Sequence, residues 1–292
     1  MLAVRNHVSR GEWDQAANAY EKVLGQLASG SRSGESLEMG LCVEIAQTPE
    51  VFKRLITLRP KDHRLWFARG RTLANAGKWK EAIADYEQAL KTLTSDAPPL
   101  THVFISSELA ALLLLDQQTD RYHEVAASIS RQQFPIDDDT IHQTVANQVA
   151  ARLCSLLPNA VDRPEKVTQF AQTAVAFNPD FAWHQFALGL AEFRAGQNEA
   201  AVKSLTASLE LNPEWIGRGQ NYIVLAMTCQ RLGQVDQAKD WLQQSRTWMA
   251  EIEERRKGNK YGFATSDYLV DWLSGKVLLA EAERLIVEGN PE

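Results

Sequence analysis

The sequence has no apolar run long enough to cross a membrane. A membrane-spanning helix needs about 20 consecutive apolar residues, and the longest apolar stretch of this 292-residue chain, Leu109 to Leu115, is much shorter. That stretch predicts a buried helix face instead. The first 15 residues contain no apolar core of a signal peptide. We therefore expect no membrane partner.

Cysteine is scarce, and there is no excess of basic residues. The three cysteines, Cys42, Cys154 and Cys229, lie far apart in the sequence. Such a set does not form a disulfide framework and is typical of a reducing compartment, so we expect a cytoplasmic protein. Lysine and arginine number 31 against 37 acidic residues, which gives a formal net charge of −6. A general nucleic-acid binder needs a basic surface, so no nucleic-acid partner is expected.

The motifs of common catalytic and cofactor sites are also missing. No two of the six histidines lie four residues apart, and neither Cys-x2-Cys nor HExxH occurs, so a zinc site is not expected. Gly77–Lys78 does not end a phosphate loop, because six residues rather than four separate it from Gly70 and Trp79 follows in place of Ser or Thr. We expect no metal site, no cofactor, no catalytic residues and no enzymatic activity.

Two weaker site hypotheses stay open. Cys154 or Cys229 would be a nucleophile only with a base nearby, and a buried structural cysteine is the better interpretation. Three consecutive aspartates at 137–139 would suit a metal ion, but at the predicted start of a helix they more simply cap free N–H groups. A helical-repeat enzyme with an unrecognised site is therefore kept as a third function.

One short pattern recurs four times along the chain. A glycine is followed five residues later by an alanine, and a large side chain comes four residues after the alanine. The glycines are Gly11, Gly77, Gly196 and Gly233, the alanines are Ala16, Ala82, Ala201 and Ala238, and the large residues are Tyr20, Tyr86, Leu205 and Leu242.

This pattern predicts pairs of packed helices. The glycine permits the left-handed conformation that ends the first helix and turns the chain. Small residues, such as Gly70, Gly189 and the alanines, let two helices approach closely, and the larger residue on the same face fills the space between them. Three aromatics, Trp79, Tyr86 and Trp241, are expected to be buried in this packing. A single hairpin cannot bury its apolar face, so successive hairpins must stack.

The pattern resembles the tetratricopeptide repeat, in which W-x2-L-G-x2-Y is followed by A-x3-F and P over 34 residues. Residues 63–96 carry it best, with Trp66, Gly70, Ala82, Tyr86 and Ala89 in register. Residues 182–215 and 219–252 carry it clearly as well. The resemblance implies a non-catalytic scaffold for protein–protein interaction.

No segment shows the two-residue alternation of a strand, so we expect an all-α tetratricopeptide-type superhelix, or solenoid. It should form a single array over residues 1–292, with about seven helix pairs and a C-terminal helix at 266–286 that caps the exposed end of the stack. The stretch 258–265 contains two glycines and two aromatics, which predicts a loop. The divergent pairs are expected at 1–28, 36–58, 98–133 and 138–177.

The order of the divergent pieces supports a more specific resemblance. The strings LCSLLPNAVD, ALGLAEFRAG and VLAMTCQRLG look like parts of the C-terminal repeat region of large bacterial serine/threonine kinases and WD-repeat proteins. The resemblance implies an accessory or regulatory region, with a kinase or another module possible in the same polypeptide. It does not imply kinase chemistry here, because no glycine-rich loop, catalytic loop or DFG is present.

The first helix of each pair should line the concave side of the stack. Aromatic residues and methionine would anchor a bound peptide or partner protein there, and arginines would bind its carboxylates. The expected partner-binding groove consists of Arg64, Phe67, Arg71, Asn75, Trp183, Phe186, Arg194, Gln220, Met227 and Arg231.

Overall fold

The computed structural model describes residues 2–27, 40–94, 97–134, 140–259, 261–266 and 268–289. Within these ranges every regular element is a helix. The helices follow one another as seven pairs and a last single helix, which confirms the predicted all-α fold of about seven helix pairs with a further C-terminal helix. The aspartates at 137–139 lie outside the described residues.

The chain divides into two compact units, where the sequence predicts a single array. Unit 1 consists of residues 1–96 together with 259–266, and unit 2 of residues 97–258 together with 267–292. The first boundary falls just before Pro98 and Pro99, where two prolines interrupt helical hydrogen bonding.

Unit 1 contains the first three helix pairs. The pair α5 and α6 is the one that matches the repeat pattern best, and its two helices pack along each other. The helices are α1 (Leu2–Ser9), α2 (Trp13–Leu27), α3 (which includes 40–46), α4 (Pro49–Leu58), α5 (His63–Asn75) and α6 (Trp79–Thr92).

Unit 2 contains four further pairs and the last helix. Within it each helix contacts its neighbours in sequence, from α7 to α15. The helices are α7 (Pro99–Leu115), α8 (Thr119–Ser130), α9 (Thr140–Leu153), α10 (Pro164–Phe177), α11 (Ala182–Arg194), α12 (Asn198–Leu211), α13 (Arg218–Arg231), α14 (Val235–Gly258) and α15 (Tyr268–Ile286).

The recurring glycines turn the chain as the sequence predicts. Gly11, Gly77, Gly196 and Gly233 have φ angles of 70°, 75°, 74° and 73°. This left-handed conformation costs a residue with a Cβ atom about 1–2 kcal/mol. The glycines therefore set the hairpin turns of α1–α2, α5–α6, α11–α12 and α13–α14.

Two further glycines mark the predicted close approach of paired helices. A Cβ atom on Gly70 of α5 would come within 2.7 Å of the Tyr86 ring of α6, and one on Gly189 of α11 within 2.6 Å of Leu205 of α12. Tyr86 and Leu205 are the large residues of the recurring pattern, and both are fully buried. The other two aromatics expected to be buried, Trp79 and Trp241, are only partly buried.

The last helix, α15, is expected to close the end of a stack, but it packs along unit 2. It contacts α7, from the first pair of that unit, as well as α13 and α14, from the last. Eleven of its nineteen residues are buried, whereas a helix that only caps an end keeps a wide polar face. The apolar sequence around Leu269, Leu273 and Leu278, which are fully buried, requires contacts on several sides.

Candidate functional site

The ten predicted groove residues all lie on first helices of their pairs: α5, α11 and α13. In the structure these helices contact another part of the same chain, its C-terminal segment. In unit 1 the segment is the loop that contains residues 261–266, and in unit 2 it is α15. Whether the ten residues bind a partner stays a prediction.

Two side chains of α5 hold the loop by its backbone. The side-chain oxygen Oδ1 of Asn75 accepts a hydrogen bond of 2.9 Å from the N–H of Phe263. The guanidinium of Arg71, one helical turn earlier, donates to the carbonyl oxygen of Ser266. We call this face of α5, marked by Arg71 and Asn75, the α5 surface. It binds groups that every polypeptide has, the N–H and the C=O of the backbone.

The loop itself is a series of tight turns. The N–H groups of Gly262, Ala264 and Ser266 bond to the carbonyl oxygens three residues before each of them, at 2.9, 3.1 and 3.0 Å. Gly262 has a φ angle of 55°. A Cβ atom at this position would overlap the side-chain amide of Asn75. Gly262 therefore permits both the turn and the close approach to α5.

The loop buries apolar side chains, and Ala264 is part of the core of unit 1. Phe263 and Ala264 are 3% and 1% exposed. Ala264 belongs to the same buried cluster as Leu65 and Ala68 of α5, and Tyr261 packs against the edge of that cluster. The loop is thus held by two polar side chains and by the burial of apolar surface.

The other two predicted residues of α5 are engaged by neighbours on their own hairpin. Arg64 makes two hydrogen bonds of 2.8 Å to the carboxylate of Asp62, which caps the start of the helix. Burial opposes ionisation of Asp62, but the hydrogen bonds and charges of Arg64 and Arg59 outweigh it and lower the pKa of the carboxyl group. Phe67 packs edge to face on Tyr86, with ring centroids 5.4 Å apart.

Arg194 of α11 binds a carboxylate of α15. Its guanidinium donates to both oxygens of Glu281, one of them at 2.6 Å, and also to the carbonyl oxygens of Ser155 and Leu156, each at 2.8 Å. The side chains of Arg194 and Glu281 are 6% and 5% exposed. This is two-point recognition of a carboxylate, and the carboxylate belongs to the chain itself rather than to a partner.

A second carboxylate of α15 is bound by two first helices. Asp271 accepts hydrogen bonds of 2.7 Å from Arg152 of α9 and 3.1 Å from Gln220 of α13. Arg152 also lies over the rings of Trp183 and Phe186, at 4.5 and 5.5 Å from their centroids. The sequence analysis missed Arg152, because α9 belongs to a divergent pair with no turn glycine to fix its register.

The remaining predicted residues are mostly packed inside unit 2. Phe186 and Met227 are 0% exposed. Trp183 is partly buried and meets Trp215 edge to face, with centroids 4.2 Å apart. Arg231 is exposed, and its guanidinium donates to the carbonyl oxygen of Phe193 at 2.9 Å. Among these four residues Arg231 offers the most surface to a partner.

Unit 2 contains a cavity of about 210 Å³ whose lining includes groups that could react. Its lining includes Cys154, Asp162 and Arg194. Burial raises the pKa of the Cys154 thiol to about 12, although the charge of Lys166 opposes the shift. Burial also raises the pKa of Cys229. Because the thiolate is the nucleophile, the raised pKa works against either cysteine acting as one.

The described part of the chain contains neither a metal-binding cluster nor a membrane-spanning helix. No group of three or more His, Cys, Asp or Glu side chains in these ranges could hold a metal ion. None of the described helices is both long and apolar enough to cross a membrane.

Comparison with known families and structures identifies one repeat. Residues 63–93, which form α5 and α6, match the model of the tetratricopeptide repeat. No curated protein matches the chain. The predicted tetratricopeptide-type fold is therefore supported by this repeat and by the helix pairs around it.

Solved structures of repeat proteins show a distant likeness. A tetratricopeptide repeat protein from Parabacteroides merdae is 9% identical, with 94% of this chain and 95% of that one covered and a TM-score of 0.47. MamA from Desulfovibrio magneticus RS-1 is 17% identical, with coverages of 82% and 96% and a TM-score of 0.35. YrrB, a TPR protein with an unusual peptide-binding site, is 14% identical, with coverages of 68% and 91% and a TM-score of 0.37.

Proposed function

We propose that this chain is a non-catalytic scaffold that binds a peptide or partner protein on the first helices of its pairs. The observation that carries the proposal is that these first helices already bind two parts of the chain that belong to no helix pair, the loop and α15. Asn75 and Arg71 bind backbone groups of the loop, and Arg194 and Gln220 bind carboxylates of α15.

The chemistry of these helices suits peptides with acidic side chains. An arginine guanidinium meets a carboxylate with two parallel hydrogen bonds, which adds geometric selectivity to the charge attraction. Exposed Arg231 presents this group at the end of α13. Asn75 binds a backbone N–H group, which fixes the direction of the bound chain.

Several narrower expectations rest on the sequence alone and stay predictions. They are a cytoplasmic location, the absence of nucleic-acid and membrane partners, the absence of catalysis, and a kinase or other module in the same polypeptide. The role of accessory region of a bacterial serine/threonine kinase comes only from the likeness of three short sequence strings, and no contact in the structure favours it over a free-standing scaffold.

The proposal is tested by selecting ligands from a random peptide display library against the full chain. Hydrogen exchange then maps the bound peptide. We expect enriched peptides that protect the first helices, α5, α11 or α13, rather than the second helices, α6, α12 or α14. A library that yields no binder, or binders that protect only second helices, would contradict the proposal.

A pair of arginine variants sharpens this test. Arg231→Gln changes an exposed arginine on the first helix of the last pair, and Arg255→Gln changes an exposed arginine on its second helix. For peptides that protect α13, we expect only Arg231→Gln to weaken binding, by roughly tenfold for one charge-assisted hydrogen bond. Equal effects of the two variants would mean that charge alone attracts the peptide.

A further inference from the structure

The loop on the α5 surface has the features of a bound peptide. We propose that this surface is a binding site for peptides with an aromatic–glycine–aromatic–alanine turn, and that Tyr261, Gly262, Phe263 and Ala264 occupy it when no partner is present. An external peptide with the same turn then competes with the loop. This inference rests on the proposed function and names the class of ligand for one part of the surface.

Backbone recognition gives the site its orientation. Asn75 accepts the N–H of Phe263 at 2.9 Å, and Arg71 donates to the carbonyl oxygen of Ser266. The two bound groups are three residues apart in the loop, and the two side chains are one turn apart on α5. A peptide must therefore place an N–H and a later C=O at a fixed separation, which the turns of the loop provide.

Side-chain burial gives the site its selectivity. Phe263 and Ala264 are 3% and 1% exposed, and Ala264 lies in the same buried cluster as Leu65 and Ala68 of α5. The motif that fits is therefore a buried aromatic ring followed by one small residue. The residue before the ring must be glycine, since a Cβ atom there would overlap the amide of Asn75 and the φ angle of 55° disfavours any other residue. Tyr261 adds a contact at the edge of the core cluster.

The way the loop is held makes exchange feasible. Its backbone hydrogen bonds include three short turns within the loop itself, donated by Gly262, Ala264 and Ser266, so the loop keeps a turn conformation of its own. Loops open locally at a lower free energy than global unfolding requires. Because the opened loop leaves α5 and α6 in place, the site remains formed for another peptide.

The test uses the full chain and a fluorescent peptide with the sequence of residues 258–267, GNKYGFATSD. A release variant carries Gly262→Ala and Phe263→Ser, which remove the two features that seat the loop. The control is Gly258→Ala, where an added Cβ atom meets nothing within 4 Å. If the loop fills the site about 90% of the time or more, the wild type and the control bind the peptide at least about tenfold more weakly than the release variant.

A second set of measurements shows where the peptide binds. Asn75→Ala, added to the release variant, should weaken peptide binding by about tenfold through loss of one hydrogen bond in a buried setting. A peptide with alanine in place of its glycine should lose a similar factor. Circular dichroism establishes that each variant keeps its helix content, and Gly262→Ala alone serves if the double variant does not fold.

The inference is overturned if the release variant binds the peptide no better than the wild type, or if Asn75→Ala leaves its binding unchanged. The competition experiment separates this inference from the broader function. Library-selected peptides that protect first helices but do not compete with GNKYGFATSD would support the scaffold and reject the α5 surface as the site of this peptide.

Discussion

Arg194 and Glu281 form a two-point ion pair in which both side chains are almost fully buried, 6% and 5% exposed. The pair joins α11 to α15, so a carboxylate of the C-terminal segment is held by a first helix of unit 2. Arg152 and Asp271 form a second buried ion pair, between α9 and α15, with 2.7 Å between the guanidinium and the carboxylate oxygen Oδ1. The charges of Arg194 and Arg152 are thus neutralised by carboxylates of the chain itself.

Removing one member of the buried pair should destabilise unit 2 strongly. Glu281→Ala leaves the charge of Arg194 buried without its carboxylate partner. Such a change typically lowers the free energy of unfolding by about 3–5 kcal/mol. The control is Glu283→Ala, two residues later on the same helix, which removes an exposed pair with Arg246 whose side chains are each 43% exposed. That loss should cost less than about 1 kcal/mol. Urea unfolding of both variants measures the difference, and equal losses would contradict the role of burial.

The close approach of α11 and α12 predicts a compensating pair of substitutions. Gly189→Ala places a Cβ atom within 2.6 Å of Leu205 and should cost about 1–3 kcal/mol through overpacking. Leu205→Ala should cost about 2–5 kcal/mol through a cavity. In the double variant the new methyl group enters the space left by Leu205. The double variant should therefore lose less free energy of unfolding than the two single variants lose together. Additive losses in urea unfolding would show that the two residues do not share this space.

Two aromatics on α6 should differ in their contribution to stability. Tyr86 is fully buried, and its replacement by alanine should cost about 3–5 kcal/mol. Trp79 is only partly buried, so Trp79→Ala removes less packed area and should cost less. Thermal unfolding followed by far-UV circular dichroism compares the two variants. A larger loss for Trp79→Ala would mean that the ring at position 79 carries the packing of this hairpin.

His184 should make the chain less stable in mild acid. Burial lowers its pKa from 6.5, and hydrogen bonds to the carbonyl oxygens of Asn178 and Ala174 only partly oppose the shift. The unfolded chain therefore gains a proton before the folded chain does. Stability is fully present above about pH 6.5 and is lost as the pH falls from there towards the lower folded-state pKa.

Variants at two adjacent positions, 184 and 185, isolate the contribution of His184 to this loss of stability. In urea unfolding between pH 8 and pH 5, His184→Gln should lose less stability than the wild type. Gln185→Ala, which removes a neighbouring side chain that donates to Pro179 and does not titrate, should keep the wild-type dependence. If His184→Gln shows the wild-type loss of stability, other groups are responsible for it.

Local patterns made most of the helix pairs predictable. Gly77 and Gly196 adopt the left-handed conformation that their positions require. The contact of Gly70 with Tyr86 follows from their places in one repeat. The turn and the contact each lie within a single hairpin, so the spacing of residues along the sequence is enough to predict them.

The contacts of the C-terminal segment could not be predicted in the same way. Asn75 and Phe263 are 188 positions apart, and no periodicity connects a loop to a distant helix. One signal was nevertheless present: Asp271 and Glu281 are acidic residues in a largely apolar helix. Charges in such a setting require partners when the helix is buried.

The most direct test of the central claim is hydrogen exchange at the amide of Phe263 in the full-length chain. If the loop occupies the α5 surface, this amide is protected in the wild type, because it donates to Asn75. It should become exchangeable in Asn75→Ala, while the amides of α6 keep their protection. A Phe263 amide that exchanges in the wild type as fast as an open loop would contradict the account.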